Sequence, residues 1–194
     1  MYTNRFLRNI FLAAALTVGS HAAVAQNDAT AVAERPAAAV DLDAKYATAL
    51  LKCGDEAPEI SVKTMDGADF RLSSLRGKYV VLDFWASWCP DCRRDAPAVV
   101  ALYDKFAAKG VEFVGVSFDK NAQSWRSGVE KLGLRYTQVS DLKPMRESEV
   151  AQAYHISWIP TIYIIDPQGK VALATVMSDK ASSFLHSVYP DCAE

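Results

Sequence analysis

The stretch "YVVLDFWASWCPDC", residues 79–92, contains the features that decide the fold of this chain. Residues 79–85 are a near-continuous apolar run, which is typical of a strand buried on both faces of a sheet. Two cysteines follow, and a helical pattern continues from Cys89 to Lys109, where Gly110 ends it. The sequence therefore predicts a buried strand that leads directly into a helix with a CxxC pair in its first turn.

The elements on either side of this strand–helix unit predict an α/β fold. The sequence predicts a β-hairpin at residues 59–72, which turns at Asp66-Gly67, and a strand–helix–strand–helix unit at residues 79–132. A short helix follows at residues 146–154, and two strands and a last helix are predicted at residues 161–189. The strand–helix–strand order implies parallel pairing, whereas the short turn between the last two strands implies antiparallel pairing. We therefore expect a mixed central sheet flanked by helices on both faces.

The first 25 residues have the pattern of a cleaved signal peptide. Arg5 and Arg8 precede a short apolar run, residues 10–18, and small residues at 23–25 provide a cleavage site. The run is too short to span a bilayer comfortably, and an uncleaved membrane anchor is the alternative. Export would deliver the protein to an oxidising compartment, and a bacterial periplasm is the expected location.

The remaining composition predicts a tether followed by one domain. Residues 26–52 are rich in alanine and are interpreted as a flexible tether, with a short helix within 41–51, and residues 53–194 form the domain. The chain is 51% hydrophobic and 23% charged, close to the average for globular proteins. Its formal net charge of −2 and its lack of basic clusters argue against nucleic acid as a partner.

The position of the CxxC pair favours redox chemistry. Free backbone N–H groups and the positive end of a helix dipole stabilise a thiolate on the first cysteine. Cys89 is therefore predicted to be an exposed nucleophile. Cys92, about one turn further on, can attack the mixed disulfide that Cys89 forms with a client protein.

Two other readings of the pair remain open. A structural disulfide across four residues would constrain the unfolded chain very little. Half of a zinc site would need further ligands, and the remaining candidates are scattered singly, at Cys53, His155, His186 and Cys192. No metal site and no cofactor are predicted, because the two thiols themselves can carry the electrons.

Several motifs carry a resemblance to the thioredoxin superfamily. The segment "LDFWASWCPDC", residues 82–92, is similar to the thioredoxin signature, and Pro97 matches the proline that kinks the active-site helix of that family. The segment "WIPT", residues 158–161, resembles its cis-proline loop. Pro160 follows Cys89 by 71 residues, more than in plain thioredoxin.

That spacing, the leading hairpin and the signal peptide resemble the exported TlpA/ResA-like branch of thiol–disulfide oxidoreductases. The resemblance implies a thioredoxin fold with an N-terminal β-hairpin and a βα-type insertion before the cis-proline loop. "GDEAPEI", residues 54–60, also resembles the opening of the peroxiredoxin-related AhpC/TSA proteins. A thiol peroxidase, an oxidising disulfide donor and a non-catalytic binding module are therefore the alternatives to a reductase.

The resemblance implies a proton acceptor for Cys92. Asp83 lies within the buried strand, where burial would raise the pKa of its carboxyl group and suit it to accept that proton. Many members of the exported branch have another residue here. An acid from the insertion, Asp119 or Glu130, is the alternative, and the sequence does not choose between them.

Four further residues are expected to contact the client. The resemblance implies that Pro160 is cis and lies beside the cysteines, so that the backbone of Ile159 can pair with an extended client segment. Trp88 is expected to shield the thiolate and form a docking surface, and Pro90 to stiffen the start of the helix.

The residues around the cysteines indicate the direction of the reaction. The charge of Asp91 disfavours a neighbouring thiolate and so favours the disulfide, which makes the dithiol more reducing, whereas Arg93 opposes this effect. Strongly oxidising relatives usually carry a histidine between the cysteines, which this chain lacks. We therefore expect a reductase of disulfide-bonded client proteins, and the resemblance implies a membrane electron-donor thiol protein and a role in cytochrome c maturation.

The two remaining cysteines bracket the domain. Because the termini of compact domains often lie close together, we expect a structural disulfide between Cys53 and Cys192. Two free or intermolecular thiols are the alternative.

Overall fold

A computed structural model describes residues 40–190 of the chain. The predicted signal peptide, the first part of the predicted tether and Cys192 lie outside the described residues. Within 40–190, no helix is long and apolar enough to cross a membrane.

The described residues form one sheet and its flanking helices. The strands are β1 (Ser61–Thr64), β2 (Asp69–Arg71), β3 (Val80–Trp85), β4 (Glu112–Ser117), β5 (Thr137–Ser140), β6 (Thr161–Ile165) and β7 (Val171–Thr175). The helices are α1 (Asp43–Tyr46), α2 (Pro90–Phe106), α3 (Ala122–Leu132), α4 (Glu149–Ala153) and α5 (Ser178–Val188). Short 3₁₀ turns occupy Leu72–Leu75 and Ala107–Lys109.

The sheet has the order β2-β1-β5-β4-β3-β6-β7, and it is mixed as predicted. Strand β3 pairs in parallel with β4 and antiparallel with β6, so the strand before the CxxC pair lies near the middle. Strands β6 and β7 are antiparallel, and the predicted hairpin forms from β1 and β2. Together with the helices, this is a thioredoxin fold.

Strand β5 is the one strand that the sequence analysis did not predict. Its four residues, "TQVS", have no clear alternation, and strand propensity depends strongly on neighbouring strands. In the structure β5 pairs in parallel with β4 and antiparallel with β1. It therefore joins the N-terminal hairpin to the main sheet.

Successive side chains of β3 point to opposite faces of the sheet, and this alternation positions the site. Asp83 faces α2, where it lines a small cavity together with Cys92. Phe84 faces the other way and packs against Tyr154, at the end of α4. Both faces of β3 are buried, as the apolar run predicted.

Two predicted helix details need correction or refinement. Cys89 is the N-cap of α2 and Pro90 its first residue, and the helix continues past Pro97. A serine at the start of the last predicted helix is a typical N-cap residue, but the N-cap of α5 is Met177 and Ser178 is its first residue. The hydroxyl of Ser178 instead donates a hydrogen bond to Asp95 Oδ1 at 2.5 Å, because α5 packs against α2.

The boundary between tether and domain also differs from the prediction. The compact unit begins at Val40 rather than at Cys53. Leu50 is buried, and Asp43 accepts a hydrogen bond from the backbone N–H of Val176 at 2.7 Å. Composition alone missed this, since an alanine-rich segment is held here by a few specific contacts to β7 and α5.

Candidate functional site

Cys89 and Cys92 form a disulfide at the N-terminus of α2, with their Cα atoms 5.3 Å apart. The backbone N–H of Cys92 donates to Cys89 Sγ at 3.1 Å, so the sulfur occupies the position of a helix cap. After reduction, the same N–H group and the helix dipole would stabilise a thiolate at this atom. The geometry therefore distinguishes Cys89 as the sulfur suited to nucleophilic attack.

Cys89 is nevertheless buried, which corrects the expectation that it is exposed. Only 4% of the residue is accessible, because the loop before β6 covers it. The neighbouring Trp88 is 55% exposed and is the large apolar side chain at the surface here.

The loop before β6 contains the cis peptide bond that the sequence motif predicted, between Ile159 and Pro160. The carbonyl oxygen of Ile159 lies 3.5 Å from Cys89 Sγ. Thr161 Oγ1 donates to the carbonyl oxygen of Trp158 at 2.8 Å and closes the loop on itself. Backbone groups suited to strand addition are thus held directly beside the nucleophile.

Asp83 is buried beneath the disulfide. Its exposed fraction is 5%, and burial raises the pKa of its carboxyl group to about 7. Tyr136 Oη donates a hydrogen bond to Asp83 Oδ2 at 2.7 Å, which opposes the shift, while the charge of Asp95 adds to it. A carboxyl group with a pKa near neutrality can both accept and release a proton at physiological pH.

A cavity of about 10 Å³ separates Asp83 from Cys92 and is also lined by Asp95 and Pro160. This volume is at the lower limit of what can hold one water molecule. Asp83 and Cys92 therefore face the same small internal space. Asp119 and Glu130, the alternative acids, do not line this cavity.

Asp119 instead holds the active-site loop. It is buried and accepts hydrogen bonds from the backbone N–H and the hydroxyl of Ser87, at 3.0 and 2.7 Å. Ser117 Oγ donates to it at 2.9 Å. Glu130 is exposed on α3. The structure thus favours Asp83 among the three acids that the sequence offered.

Two polar residues beside Asp83, namely Asp95 and Tyr136, were not predicted from the sequence. Asp95 lies one helical turn after Cys92, and burial raises the pKa of its carboxyl group. Its Oδ2 atom is buried and has no hydrogen-bond partner among the described residues. The i, i+3 spacing from Cys92 was a signal that could have found Asp95. Nothing in the sequence could have placed Tyr136 beside Asp83.

The charged residues between and after the cysteines form specific polar contacts. Asp91 forms an ion pair with Arg94, while Arg93 Nη1 donates to the carbonyl oxygen of Ser87 at 3.1 Å. The Asp91–Arg94 pair is partly exposed, and such pairs contribute little energy. Arg93 thus contacts the loop that precedes Cys89, and its effect on the thiolate stays a prediction.

Cys53 is exposed, and its Sγ lies 3.1 Å from the carbonyl oxygen of Ala172 on β7. Because Cys192 lies outside the described residues, the disulfide between them stays a prediction. Among the described residues, no group of three or more His, Cys, Asp or Glu side chains could hold a metal ion.

Comparison with known proteins gives a consistent family assignment. The model of the AhpC/TSA family matches residues 53–174. The thiol–disulfide oxidoreductase ResA of Geobacillus thermodenitrificans is 31% identical over 140 residues, covering 71% of this chain and 78% of ResA. ResA of Bacillus subtilis is 31% identical over 133 residues, covering 69% of this chain and 72% of ResA.

Solved structures show the same fold. The thioredoxin domain of a thiol-disulfide oxidoreductase from Bacteroides vulgatus matches with a TM-score of 0.66 and 30% identity, covering 71% of this chain and 98% of that domain. A thiol:disulfide interchange protein DsbE from Chlorobium tepidum matches with a TM-score of 0.64 and 28% identity, covering 74% of this chain and 99% of its own.

Proposed function

Because this chain belongs to the AhpC/TSA family and is a thiol–disulfide oxidoreductase with a thioredoxin fold, we propose that it reduces disulfides in exported client proteins. The observation that carries this proposal is that the fold brings three groups together at the start of α2. A CxxC pair caps α2, the Ile159–Pro160 loop lies against Cys89, and Asp83 lies below Cys92.

In the proposed reaction, the Cys89 thiolate attacks one sulfur of a client disulfide. A bond forms between Cys89 and that sulfur, and the other client sulfur leaves as a thiolate and takes up a proton. The thiol of Cys92 then gives its proton to Asp83 and attacks Cys89 Sγ, which releases the second client sulfur. The client gains two electrons, and the protein is left with the Cys89–Cys92 disulfide.

Three residues have positioning or docking roles in this proposal. The backbone of Ile159 pairs with the extended client segment beside its cysteine. Trp88 provides the exposed apolar surface next to the nucleophile, and Pro90 fixes the first turn of α2. No bound cofactor takes part, because the electrons are carried on the two sulfurs.

The electrons must be replaced after each turnover. We propose that a membrane thiol protein reduces the Cys89–Cys92 disulfide by the same exchange chemistry, and that the protein works in the periplasm. The signal-like residues 1–25 and the resemblance to the exported TlpA/ResA-like branch support this placement. The same resemblance supports cytochrome c maturation as one client pathway.

The deciding measurement is the reduction potential of the Cys89–Cys92 pair. We expect a value near −270 mV, as in thioredoxin, in redox buffers followed by thiol trapping and mass mapping. A Cys53→Ser/Cys192→Ser double variant is the matched control, because it leaves Cys89 and Cys92 as its only cysteines. A value near −120 mV would overturn the reductase assignment in favour of a disulfide donor. Rapid peroxide consumption would favour a thiol peroxidase instead.

A further inference from the structure

We propose that residues 40–51 form one wall of the client-binding cleft. In this cleft, Leu42 from residues 40–51 and Trp158 from the loop before β6 accept an apolar side chain of the client. This inference rests on the proposed function and adds which client segments the site prefers. We call residues 40–51 the strap. It was predicted to be tether, and the family motifs quoted above do not include it.

The strap is anchored at its start by Asp43. The carboxylate of Asp43 accepts hydrogen bonds from Thr175 Oγ1 at 2.8 Å and from the backbone N–H of Val176 at 2.7 Å. Lys180 Nζ lies 2.7 Å from Asp43 Oδ2 and also 2.7 Å from Asp41 Oδ1. The side chain of Asp43 is only 18% exposed, so this anchor is partly shielded from solvent. Leu42 is therefore held in a defined place.

The strap is also anchored at its end and in its middle. The backbone N–H of Leu51 donates to Tyr163 Oη at 3.0 Å, and Leu50 is buried in the core. The ring of Tyr46 stacks on Trp158, with centroids 4.0 Å apart and planes at 18°. Because Trp158 directly precedes the Ile159–Pro160 bond, the strap contacts the loop that faces the nucleophile.

A cleft of about 250 Å³ lies between the strap, α2 and this loop. Its apolar lining comes from Leu42, Trp158, Pro160 and Val176. Its polar lining comes from Asp91, Arg94 and Asp95. The volume is below the usual range for small-molecule sites and suits one or two side chains of a peptide.

The cleft is continuous with the redox site. Pro160 lies in the loop against Cys89, and Asp91 stands between the two cysteines. A client segment paired with the Ile159 backbone would carry neighbouring side chains toward this cleft, since alternate side chains of a strand point to the same face.

The chemistry of the cleft favours an apolar occupant. Asp91 and Arg94 offset each other's charge, and burial disfavours the charged form of Asp95, so the cleft presents little net charge to a client. Leu42 is 41% exposed although its backbone is anchored, and covering it would remove apolar surface from water. The occupant to which we commit is therefore a Leu-like side chain close to the client cysteine.

The test compares two disulfide-bonded peptides that differ only in one residue flanking the cysteine, Leu or Lys. Prereduced protein is mixed with each peptide, and the single-turnover rate is followed by thiol trapping. We expect the parent to reduce the Leu peptide faster than the Lys peptide. The ratio of these two rates should fall by about tenfold in Leu42→Ala, as when an apolar pocket loses a few contact atoms. The rate with the small reagent 5,5′-dithiobis(2-nitrobenzoate) is measured for each variant, so that a general change in reactivity is separated from a change in the preference between the peptides.

Leu142→Ala is the matched control. Leu142 is a similarly exposed leucine, at 39%, and it does not line the cleft, so this variant should keep the preference. Asp43→Ala should lose the preference although Leu42 is intact, because the anchor is gone. If Leu42→Ala discriminates between the peptides as well as the parent does, the inference is wrong. If the parent reduces neither peptides nor the small reagent, the proposed function itself has failed.

Discussion

At the scale of single residues, the site contains a buried carboxyl group, that of Asp83, whose burial lowers the stability of the folded protein. Asp83 occupies the middle of a strand with both faces buried, and its one hydrogen bond, from Tyr136, does not restore its usual pKa. Burying an incompletely compensated carboxylate destabilises a protein. Such a residue in contact with the redox cavity is typical of a group that serves chemistry rather than stability.

This cost predicts a pH-dependent gain in stability for Asp83→Asn. The pKa of the Asp83 carboxyl group is about 7 in the folded protein and 3.8, its ordinary value, in the unfolded chain. Between pH 3.8 and pH 7 this group is therefore mostly ionised in the unfolded chain and mostly protonated in the folded protein. Unfolding then releases a proton, and the free energy of unfolding of the parent falls as pH rises through this window. Asparagine removes this dependence.

The oxidised parent and Asp83→Asn would be unfolded with denaturant at pH 4 and pH 8. We expect the stability advantage of the variant to be larger at pH 8 by up to roughly 4 kcal/mol, at about 1.4 kcal/mol per unit of pKa shift. Taking the difference between the two proteins cancels the titration of acids that do not interact with Asp83. An advantage that is the same at both pH values would contradict the pKa assigned to Asp83.

At the scale of elements, α3 braces the loop that presents Cys89. Gly128 lies where α3 meets Trp85 and Ser87, and a Cβ atom there would lie 2.7 Å from Ser87 Cβ and 3.2 Å from the Trp85 ring. Asp119, just before α3, binds the backbone of Ser87. The insertion therefore supports the active-site loop through close packing and a buried carboxylate.

Gly128→Ala is accordingly predicted to destabilise the protein. Helix propensity alone would favour alanine by about 1 kcal/mol. Overpacking against Ser87 typically costs about 1–3 kcal/mol and should exceed this gain. Denaturant unfolding would be compared with that of Ser127→Ala, an exposed neighbour in the same helix, which we expect to leave stability nearly unchanged. Greater stability for Gly128→Ala would show that α3 does not pack tightly here.

At the scale of the whole molecule, the expected pairing of Cys53 with Cys192 concerns both ends of the domain. Cys53 lies at the surface beside β7, and α5 ends at Val188, four residues before Cys192. A disulfide here would close a loop of about 140 residues and stabilise the fold by roughly 4–5 kcal/mol in the chain-entropy model.

Mass mapping of the unreduced protein should recover the peptides of Cys53 and Cys192 joined. A Cys53→Ser variant should then unfold at a lower denaturant concentration, with its Cys89–Cys92 pair intact. Alkylation of both Cys53 and Cys192 without prior reduction would rule out this disulfide.

The sequence by itself determined the buried strand β3, the CxxC pair at the start of α2 and the mixed sheet. These are local features, since apolar periodicity, cap position and turn residues act over a few neighbours in the chain. The proline of the loop before β6 and the acid on β3 were named from the resemblance of short motifs to the thioredoxin superfamily.

Only the tertiary structure showed that Asp83, and neither Asp119 nor Glu130, shares a cavity with Cys92, that β5 exists, that Cys89 is buried and that residues 40–51 pack on β6, β7 and α5. Each depends on contacts between residues far apart in the chain, such as Tyr136 with Asp83 or Tyr46 with Trp158. A single sequence carries no local signal for such contacts. Long-range packing therefore chose among the chemically suitable residues that the local pattern had supplied.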